Sequence, residues 1–113
     1  MLFRSGGPQN AAGFCNVPRC LEQNVEWVSD TIRYMRERDL TYIAATPAAE
    51  AAWAAHVDDT IAGTLIPDTA SWFMGANIPG KKRGFLLYAG GLPIFRQKCA
   101  EVAAQGYAGF VMQ

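Results

Sequence analysis

The feature that most constrains this chain is a regular apolar stripe, which predicts a long amphipathic helix. The stripe consists of Leu21, Val25, Val28, Ile32 and Met35. Their spacing of four, three, four and three residues places these side chains on one helix face. Asn16 suits the N-cap and Pro18 the first turn, where its missing N–H would have no helical partner. We therefore predict a helix over residues 18–38 with one apolar face.

Two further helices follow along the sequence. Thr46 before Pro47 is a typical helix start, and the alanine-rich residues after it favour helix until Pro67. The positions of this second helix that we expect to be buried are Trp53, Val57, Ile61 and Leu65. A third helix is predicted over residues 93–105, and Gly106 would end it. Its buried positions would be Phe95, Cys99 and Val102.

The strand-like pieces are few and short. Residues 41–46 and 107–112 read as extended, and residues 84–91 read as a buried strand, but a short strand is stable only beside others. Three helices with short strands and a long loop place the chain in the α/β class, more narrowly as an α+β fragment. Its 113 residues suffice for one globular unit at most. We expect its apolar helix faces to need partners from outside this chain.

Composition excludes several classes of function. Ten basic and ten acidic residues, with no block of like charge, give no field that would attract nucleic acid. No uncharged run predicts a membrane span. Cys15, Cys20 and Cys99 lack the spacing of a metal site, so we expect no metal and three reduced thiols in a cytoplasmic protein.

The charged candidates for catalysis are weak. His56 has no acid or nucleophile placed beside it in the sequence, so we expect a histidine at the surface or at the rim of a pocket. Asp58 and Asp59 are expected to be solvated, as is the basic turn of Lys81, Lys82 and Arg83. We predict no catalytic residue in this chain.

One loop follows neither the helical nor the strand period. Residues 71–84 read "SWFMGANIPGKKRG", with three bulky apolar side chains before a glycine, an Asn-Ile-Pro-Gly turn and three basic residues. The stretch is an irregular aromatic loop with glycine hinges, and its composition alone does not say what it covers.

Two motifs carry a resemblance to a known family. "GPQNAAGFCN" at residues 7–16, leading into "EQNVEWVSDTIRYMRER", resembles a stretch near the C-terminal end of the Baeyer–Villiger monooxygenases, such as the cyclohexanone, phenylacetone and steroid monooxygenases. "SWFMGANIPGKKRGFLLYAGGLPIFRQKCAEVAAQGYAGFVM" resembles the last segment of the same enzymes. The similarity covers about residues 6–112, and "GANIPGK" followed by "GG" and "YAGF" is its most specific part.

The resemblance implies a fold, two cofactors and a reaction. Such enzymes contain two dinucleotide-binding domains, bind FAD, take a hydride from NADPH and trap O2 as a flavin C4a-peroxide, which converts a ketone into an ester or a lactone. Residues 6–113 would be the C-terminal segment of the FAD-binding domain. Their partners would be a small-molecule ketone, O2 and the rest of the same enzyme.

The resemblance also assigns roles to residues. Those expected on the FAD side are Gly7, Pro8, Asn16 and Val17. Residues 69–85 would form a mobile loop that folds over NADP(H), with Gly75 and Gly80 as hinges. The loop residues nearest NADP(H) would be Trp72 and Asn77. Those expected to border the ketone are Ala12, Gly13, Phe14 and Leu87.

The departures from the family pattern limit what the chain can do alone. It lacks the two glycine-rich dinucleotide fingerprints, the F-x-G-x-x-x-H-x-x-x-W motif and the arginine that would face the flavin. We therefore expect the isolated chain to be inactive. Residues 1–5, "MLFRS", do not fit the family and are interpreted as a non-native leader. Two alternatives stay open: a non-catalytic helical interaction module, and a related flavin enzyme that oxygenates nitrogen or sulfur.

Overall fold

Three α-helices and a two-stranded sheet form the regular structure of the computed structural model, which describes residues 7–10 and 14–113. In chain order these are α1 (Val17–Arg36), β1 (Ile43–Ala45), α2 (Pro47–Asp59), α3 (Leu92–Ala104) and β2 (Phe110–Met112). The loop between α2 and α3 contains the 3₁₀ turns Ile66–Asp68 and Trp72–Met74. All three predicted helices are confirmed. The predicted leader, Ala12 and Gly13 lie outside the described residues.

Helix α1 begins as its sequence predicts. The side chain of Asn16 accepts a hydrogen bond from the backbone N–H of Arg19 at 3.3 Å, and Pro18 occupies the first turn. The helix ends two residues earlier than predicted, because the chain turns back at Asp39, whose φ is 52°. The N–H of Leu40 then bonds to the carbonyl of Met35 at 2.9 Å, which satisfies one of the last helical carbonyls.

Helix α1 packs against the rest of the chain with a face different from its apolar stripe. Its buried residues are Cys20, Gln23 and Thr31. Trp27, on the same side, donates its indole N–H to the carbonyl of Cys99 on α3 at 3.0 Å. Two residues of the stripe, Val25 and Ile32, are 52% and 45% exposed. Gln23 accepts a hydrogen bond from Arg96 on α3, and Thr31 donates to the carbonyl of Trp27 in its own helix, so both buried polar side chains are paired while part of the apolar stripe faces outward.

Helix α2 also begins at its predicted cap, since the side chain of Thr46 accepts a bond from the N–H of Ala49 at 3.2 Å. Val57 and Ile61 are buried as predicted. Leu65 is 83% exposed, so its predicted burial is wrong. The helix ends at Asp59, and the turns that follow change the direction of the chain before Leu65 is reached.

The two strands pair although 64 residues separate the end of β1 from the start of β2. They are antiparallel, with Ile43 opposite Met112, Ala44 opposite Val111 and Ala45 opposite Phe110. The predictions that residues 41–46 and 107–112 are extended are thereby confirmed. The predicted strand at residues 84–91 is wrong, because that stretch bonds to loops rather than to a neighbouring strand.

The core lies between α2 and the following loop, and it reaches the start of α1. Its buried side chains are Cys20, Val57, Ile61, Met74, Phe85 and Tyr88. Against it pack half-buried residues, including Trp53, Phe73, Leu87 and Phe95. Phe95, Cys99 and Val102 on α3 are half-buried, as is Trp53 on α2, so the predicted burial of these four residues is only partial.

Candidate functional site

The centre of the candidate site is an extended stretch, residues 84–88, which we call the bridge segment. On one side it bonds to the glycine–proline loop at the start of the described chain. The N–H of Gln9 donates to the carbonyl of Leu86 at 2.7 Å, and the N–H of Tyr88 donates to the carbonyl of Asn10 at 3.1 Å. The side-chain amide of Gln9 also donates to the carbonyl of Phe85 at 3.2 Å. The loop assigned to the FAD side is thereby fixed to the bridge segment.

On its other side the bridge segment bonds to the aromatic loop. The N–H of Leu86 donates to the carbonyl of Phe73 at 2.8 Å, and the N–H of Gly84 donates to that of Met74 at 3.3 Å. The backbone of Leu86 therefore accepts a hydrogen bond from the glycine–proline loop and donates one to the aromatic loop. The bridge segment connects the two regions for which the sequence predicts different cofactors.

Helix α2 anchors the bridge segment through two polar side chains. The carboxylate oxygen Oδ1 of Asp58 accepts the backbone N–H of Phe85 at 3.1 Å. The Nε2 atom of His56 lies 3.0 Å from the hydroxyl oxygen of Tyr88 and shares a hydrogen bond with it. Asp58 is exposed as predicted but also binds a buried backbone N–H, and His56 is half-buried with Tyr88 as its partner, which fits the predicted rim position. Both bonds form because the fold brings a buried stretch against the C-terminal half of α2.

An aromatic cluster surrounds this anchor. The ring of Tyr88 stacks on Trp53 with centroids 5.3 Å apart and an 18° angle, and Phe95 contacts both rings. Burial raises the pKa of the Tyr88 hydroxyl above its usual 10.0. Burial, assisted by the positive charge of Lys98, lowers the pKa of His56 below 6.5. Both shifts favour a neutral hydrogen-bonded pair at neutral pH.

The aromatic loop has the local structure that its sequence suggests. Ser71 caps the 3₁₀ turn Trp72–Met74 by accepting the N–H of Phe73 at 3.2 Å. Gly75 and Gly80 have φ angles of 70° and 78°, which glycine adopts without strain. Trp72 is 60% exposed, with its ring centroid 4.0 Å from that of Phe73. Exposed residues that follow are Asn77 and the predicted solvated bases Lys81, Lys82 and Arg83.

The residues assigned to the FAD and ketone sides are mostly at the surface. Gly7 and Pro8 are exposed, as are Asn16 and Val17 at the start of α1. The ring of Phe14 is exposed and lies 6.0 Å from that of Phe85 in the bridge segment. Leu87 is half-buried and packs against the core. The structure thus brings Phe14 to the same bridge segment that carries Leu87.

The three cysteines lie in two places. The sulfur atoms of Cys15 and Cys20 are in contact, with Cα atoms 6.7 Å apart, and that this pair is reduced stays a prediction. Cys99 is free, and burial raises the pKa of its thiol to about 11. The part of the chain that the structure describes contains no cluster of histidine, cysteine or carboxylate side chains able to hold a metal ion.

A largely apolar cavity of about 600 Å³ lies between the three helices. Its walls include Trp27, Trp53, Phe95 and Phe110, and Pro8 and Asn10 of the FAD-side loop reach its edge. None of the helices in residues 7–10 and 14–113 has the length and apolar character needed to cross a bilayer.

Comparison with known proteins gives consistent relatives, although no family model matches the chain. The methyl acetate-forming acetone monooxygenase of Gordonia sp. (strain TY-5) is 43% identical over 102 residues, 90% of this chain and 19% of the relative. Cyclohexanone 1,2-monooxygenase of Acinetobacter sp. is 41% identical over 112 residues, 99% of this chain and 20% of the relative. A Baeyer–Villiger monooxygenase of Pseudooceanicola batsensis is 34% identical over 111 residues, 98% of this chain and 19% of the relative.

Solved structures agree with these relatives. A closed crystal structure of cyclohexanone monooxygenase matches with a TM-score of 0.79 and 46% identity over 88% of this chain. The OTEMO complex with FAD and NADP matches with a TM-score of 0.81 and 34% identity over 95% of this chain. Each match covers 19% of the solved chain. Over nearly its whole length the chain is similar to one segment of the Baeyer–Villiger monooxygenases.

The chain spans about a fifth of the length of the relatives that it matches. One relative has a different name: the phenazine N-monooxygenase PhzNO1 of Lysobacter antibioticus is 38% identical over 111 residues, 98% of this chain and 20% of the relative.

The sequence reasoning missed the two anchors on α2. His56 and Asp58 flank Val57, which was predicted to be buried and is fully buried. Side chains that adjoin a buried helical position lie at the edge of the packed face, where they can reach buried backbone groups. That adjacency was the available signal.

Proposed function

We propose that this chain is a segment of an FAD- and NADPH-dependent Baeyer–Villiger monooxygenase, which converts a small ketone and O2 into an ester or a lactone. In this proposal residues 6–113 form the C-terminal segment of an FAD-binding domain in an enzyme with two dinucleotide-binding domains. The observation that carries the proposal is the bridge segment, whose backbone bonds connect the loop assigned to FAD with the loop assigned to NADP(H). The relatives' names and the FAD and NADP complex among the matched structures support it.

The FAD side of the proposed site is the surface around the start of α1. The residues that would contact FAD are Gly7, Pro8, Asn16 and Val17. They are exposed, and the N-terminus of a 20-residue helix supplies partial positive charge there. This fits the flavin, whose pyrimidine edge becomes negatively charged on reduction. The oxygen of Asn16 already accepts the N–H of Arg19, so its role is to hold the helix start in place.

The NADP(H) side is the loop of residues 69–85, with Trp72 and Asn77 as the proposed contacts. Trp72 offers a large flat surface and one N–H donor, which suits a nicotinamide ring. Its exposure leaves that surface accessible, while the bond from Leu86 to Phe73 holds the base of the loop. The left-handed glycines at positions 75 and 80 would absorb the backbone changes of closure, which excludes water from the reaction.

The ketone would lie between these two sides. The proposed wall residues are Ala12, Gly13, Phe14 and Leu87. The contact of Phe14 with Phe85 supports this placement, because it brings the ring beside the bridge segment that contains Leu87. When bound, the reduced flavin would supply the chemistry that activates O2. This chain would supply walls and a cover but no catalytic residue, so it is inactive without the rest of its enzyme. We also propose a cytoplasmic location, as the composition of the sequence predicts.

A chimeric enzyme tests the proposal. Residues 7–113 of this chain replace the matching segment of the Acinetobacter cyclohexanone monooxygenase, to which the chain is 41% identical. We expect the chimera to retain FAD, oxidise NADPH and form lactone from cyclohexanone. A folded chimera without flavin, or one with flavin that makes no lactone from any ketone offered, would contradict the proposal.

The Trp72→Ala variant of the chimera tests the loop assignment. We expect a higher KM for NADPH and less lactone per NADPH consumed, with the FAD content unchanged. Leu65→Ala is the matched control, because Leu65, like Trp72, is an exposed apolar residue but lies outside the proposed loop. Loss of FAD in the Trp72 variant would mean that the loop has been assigned to the wrong cofactor.

The name of the phenazine N-monooxygenase relative favours nitrogen oxygenation as a second candidate. The same chimera distinguishes the two. Product from a heteroaromatic amine and none from ketones would support N-oxygenation, whereas lactone formation supports the Baeyer–Villiger reaction.

A further inference from the structure

Tyr88, at the end of the bridge segment, connects helix α2 with the loop assigned to FAD. Its side chain is buried, and its hydroxyl oxygen lies 3.0 Å from Nε2 of His56 on α2. Its backbone N–H donates to the carbonyl of Asn10 at 3.1 Å. Asn10 belongs to the FAD-side loop, which comprises residues 7–10. One side-chain bond and one backbone bond of Tyr88 thus join α2 to this loop.

The groups around the Tyr88 ring leave it little freedom to move. Trp53 stacks on the ring, and Phe95 contacts it at an angle of 57°. The ring also packs directly over the backbone of Gly90, where a Cβ would lie 2.9 Å from the ring atom Cε1. In a packed interior, a change at the hydroxyl is transmitted to the attached backbone, because the side chain has no open space into which to rotate.

The aromatic loop is attached to the bridge segment at other residues. It accepts hydrogen bonds from the backbone N–H groups of Leu86 and Gly84. The bond from Tyr88 goes to the FAD-side loop instead, at Asn10. Loss of the support beneath Tyr88 should therefore disturb the FAD-side loop more than the aromatic loop.

We propose that His56 is a positioning residue for the FAD-side loop, which it holds in place through the hydroxyl group of Tyr88. The assignment of that loop to FAD rests on the proposed function. His56 itself contacts no cofactor in this proposal. Burial lowers the pKa of His56 and raises that of Tyr88, so the two partners are neutral and can share their bond at neutral pH. Without His56, the Tyr88 hydroxyl would be buried with no partner in its place.

Amide hydrogen exchange of the ¹⁵N-labelled chain tests the attachment without any cofactor. His56→Leu removes the bond but keeps a side chain of similar size, whereas His56→Gln keeps an amide that can bond to the hydroxyl. We expect exchange at Tyr88 to become at least about fivefold faster in His56→Leu and to stay near its original rate in His56→Gln. Exchange at Leu86 should change less. Tyr42→Phe, which removes an exposed hydroxyl, should leave both rates unchanged.

The cyclohexanone monooxygenase chimera tests the consequence for FAD. We expect the Kd for FAD to rise at least about fivefold in His56→Leu and to recover in His56→Gln, with the KM for NADPH unchanged at saturating FAD.

Four results would overturn the proposal: unchanged exchange at Tyr88 in His56→Leu, equal acceleration at Leu86, the same behaviour of the glutamine and leucine variants, or unchanged FAD affinity in His56→Leu. An unsubstituted chimera that binds no FAD would instead contradict the proposed function, and the exchange rates would still decide whether His56 holds the loop.

Discussion

Asp58→Ala is the substitution whose effect follows most directly from the structure. The Asp58 carboxylate accepts the N–H of Phe85 at 3.1 Å, and Phe85 is only 1% exposed. Alanine leaves this N–H buried without its acceptor, which costs about 1–3 kcal/mol. Asp58→Asn retains an oxygen at the same place and loses only the charge assistance, which makes such bonds roughly twice as strong as neutral ones. We therefore expect the alanine variant to lose more stability at this site than the asparagine variant.

Amide hydrogen exchange of the ¹⁵N-labelled chain measures this effect locally. If the lost bond opens the bridge segment, exchange at Phe85 should become roughly 5- to 150-fold faster in Asp58→Ala, which corresponds to the same 1–3 kcal/mol. Exchange in the middle of α1 should change much less, because that helix contributes no group to the bond.

Asp59→Ala is the matched control for this experiment. Asp59 is the next residue of α2, carries the same charge and, like Asp58, is exposed, so the two differ in the bond to Phe85. Its replacement should change exchange at Phe85 by less than about threefold, as expected for an exposed surface position. Equal effects of the two substitutions would show that charge near the end of α2, and not the bond to Phe85, determines the stability of the bridge segment.

Three further outcomes are expected. Gly109→Ala should destabilise the chain by about 1–3 kcal/mol in thermal denaturation. Gly109 has a φ of 90°, and a Cβ there would lie 2.9 Å from that of Ala49. An unchanged Tm would contradict the close approach of Gly109 to Ala49. Burial lowers the pKa of His56, so the unfolded chain binds a proton at this residue more readily and the free energy of unfolding should fall as the pH drops below 6.5. The urea midpoint of His56→Gln should depend less on pH. Stability that rises on acidification in this range would contradict the direction of the pKa shift. The exposed Val25 and Ile32 should make the isolated chain marginally stable or self-associating, as measured by thermal denaturation and light scattering. A Val25→Glu/Ile32→Glu variant should self-associate less. A monomer that melts cooperatively at high temperature would contradict this prediction.

The helix starts could be predicted because their determinants are local. Asn16 with Pro18, and Thr46 with Pro47, place an acceptor side chain and a preset φ within three residues of each helix start, and both caps form as expected. The end of α2 could not be predicted in the same way. It has no glycine or proline at its last turn, and the apolar period continued to Leu65, which is exposed.

The bridge segment shows where local reasoning fails. Its composition predicts a buried strand, and Phe85 and Tyr88 are indeed buried. Whether a buried extended stretch becomes a strand depends on what its backbone groups meet. Here they meet the loop at residues 7–10, which is distant in sequence, and the aromatic loop that directly precedes them. The anchors His56 and Asp58 were missed because their position beside Val57 places them at the edge of the packed face without identifying a partner on another element.

Most of the bonds between the bridge segment and its two loops join backbone atoms, so the fold can persist while side chains of the site change. The N–H groups of Gln9, Leu86 and Tyr88 donate to carbonyl groups, so they constrain few side chains at those positions. Accordingly, the match to the OTEMO complex at 34% identity has a TM-score of 0.81, no lower than the 0.79 of the cyclohexanone monooxygenase at 46% identity. Side chains such as Leu87 can then vary without breaking the backbone hydrogen bonds that join the bridge segment to the two loops. Substrate preference among relatives should therefore follow side-chain differences along the bridge segment more than differences in its backbone path.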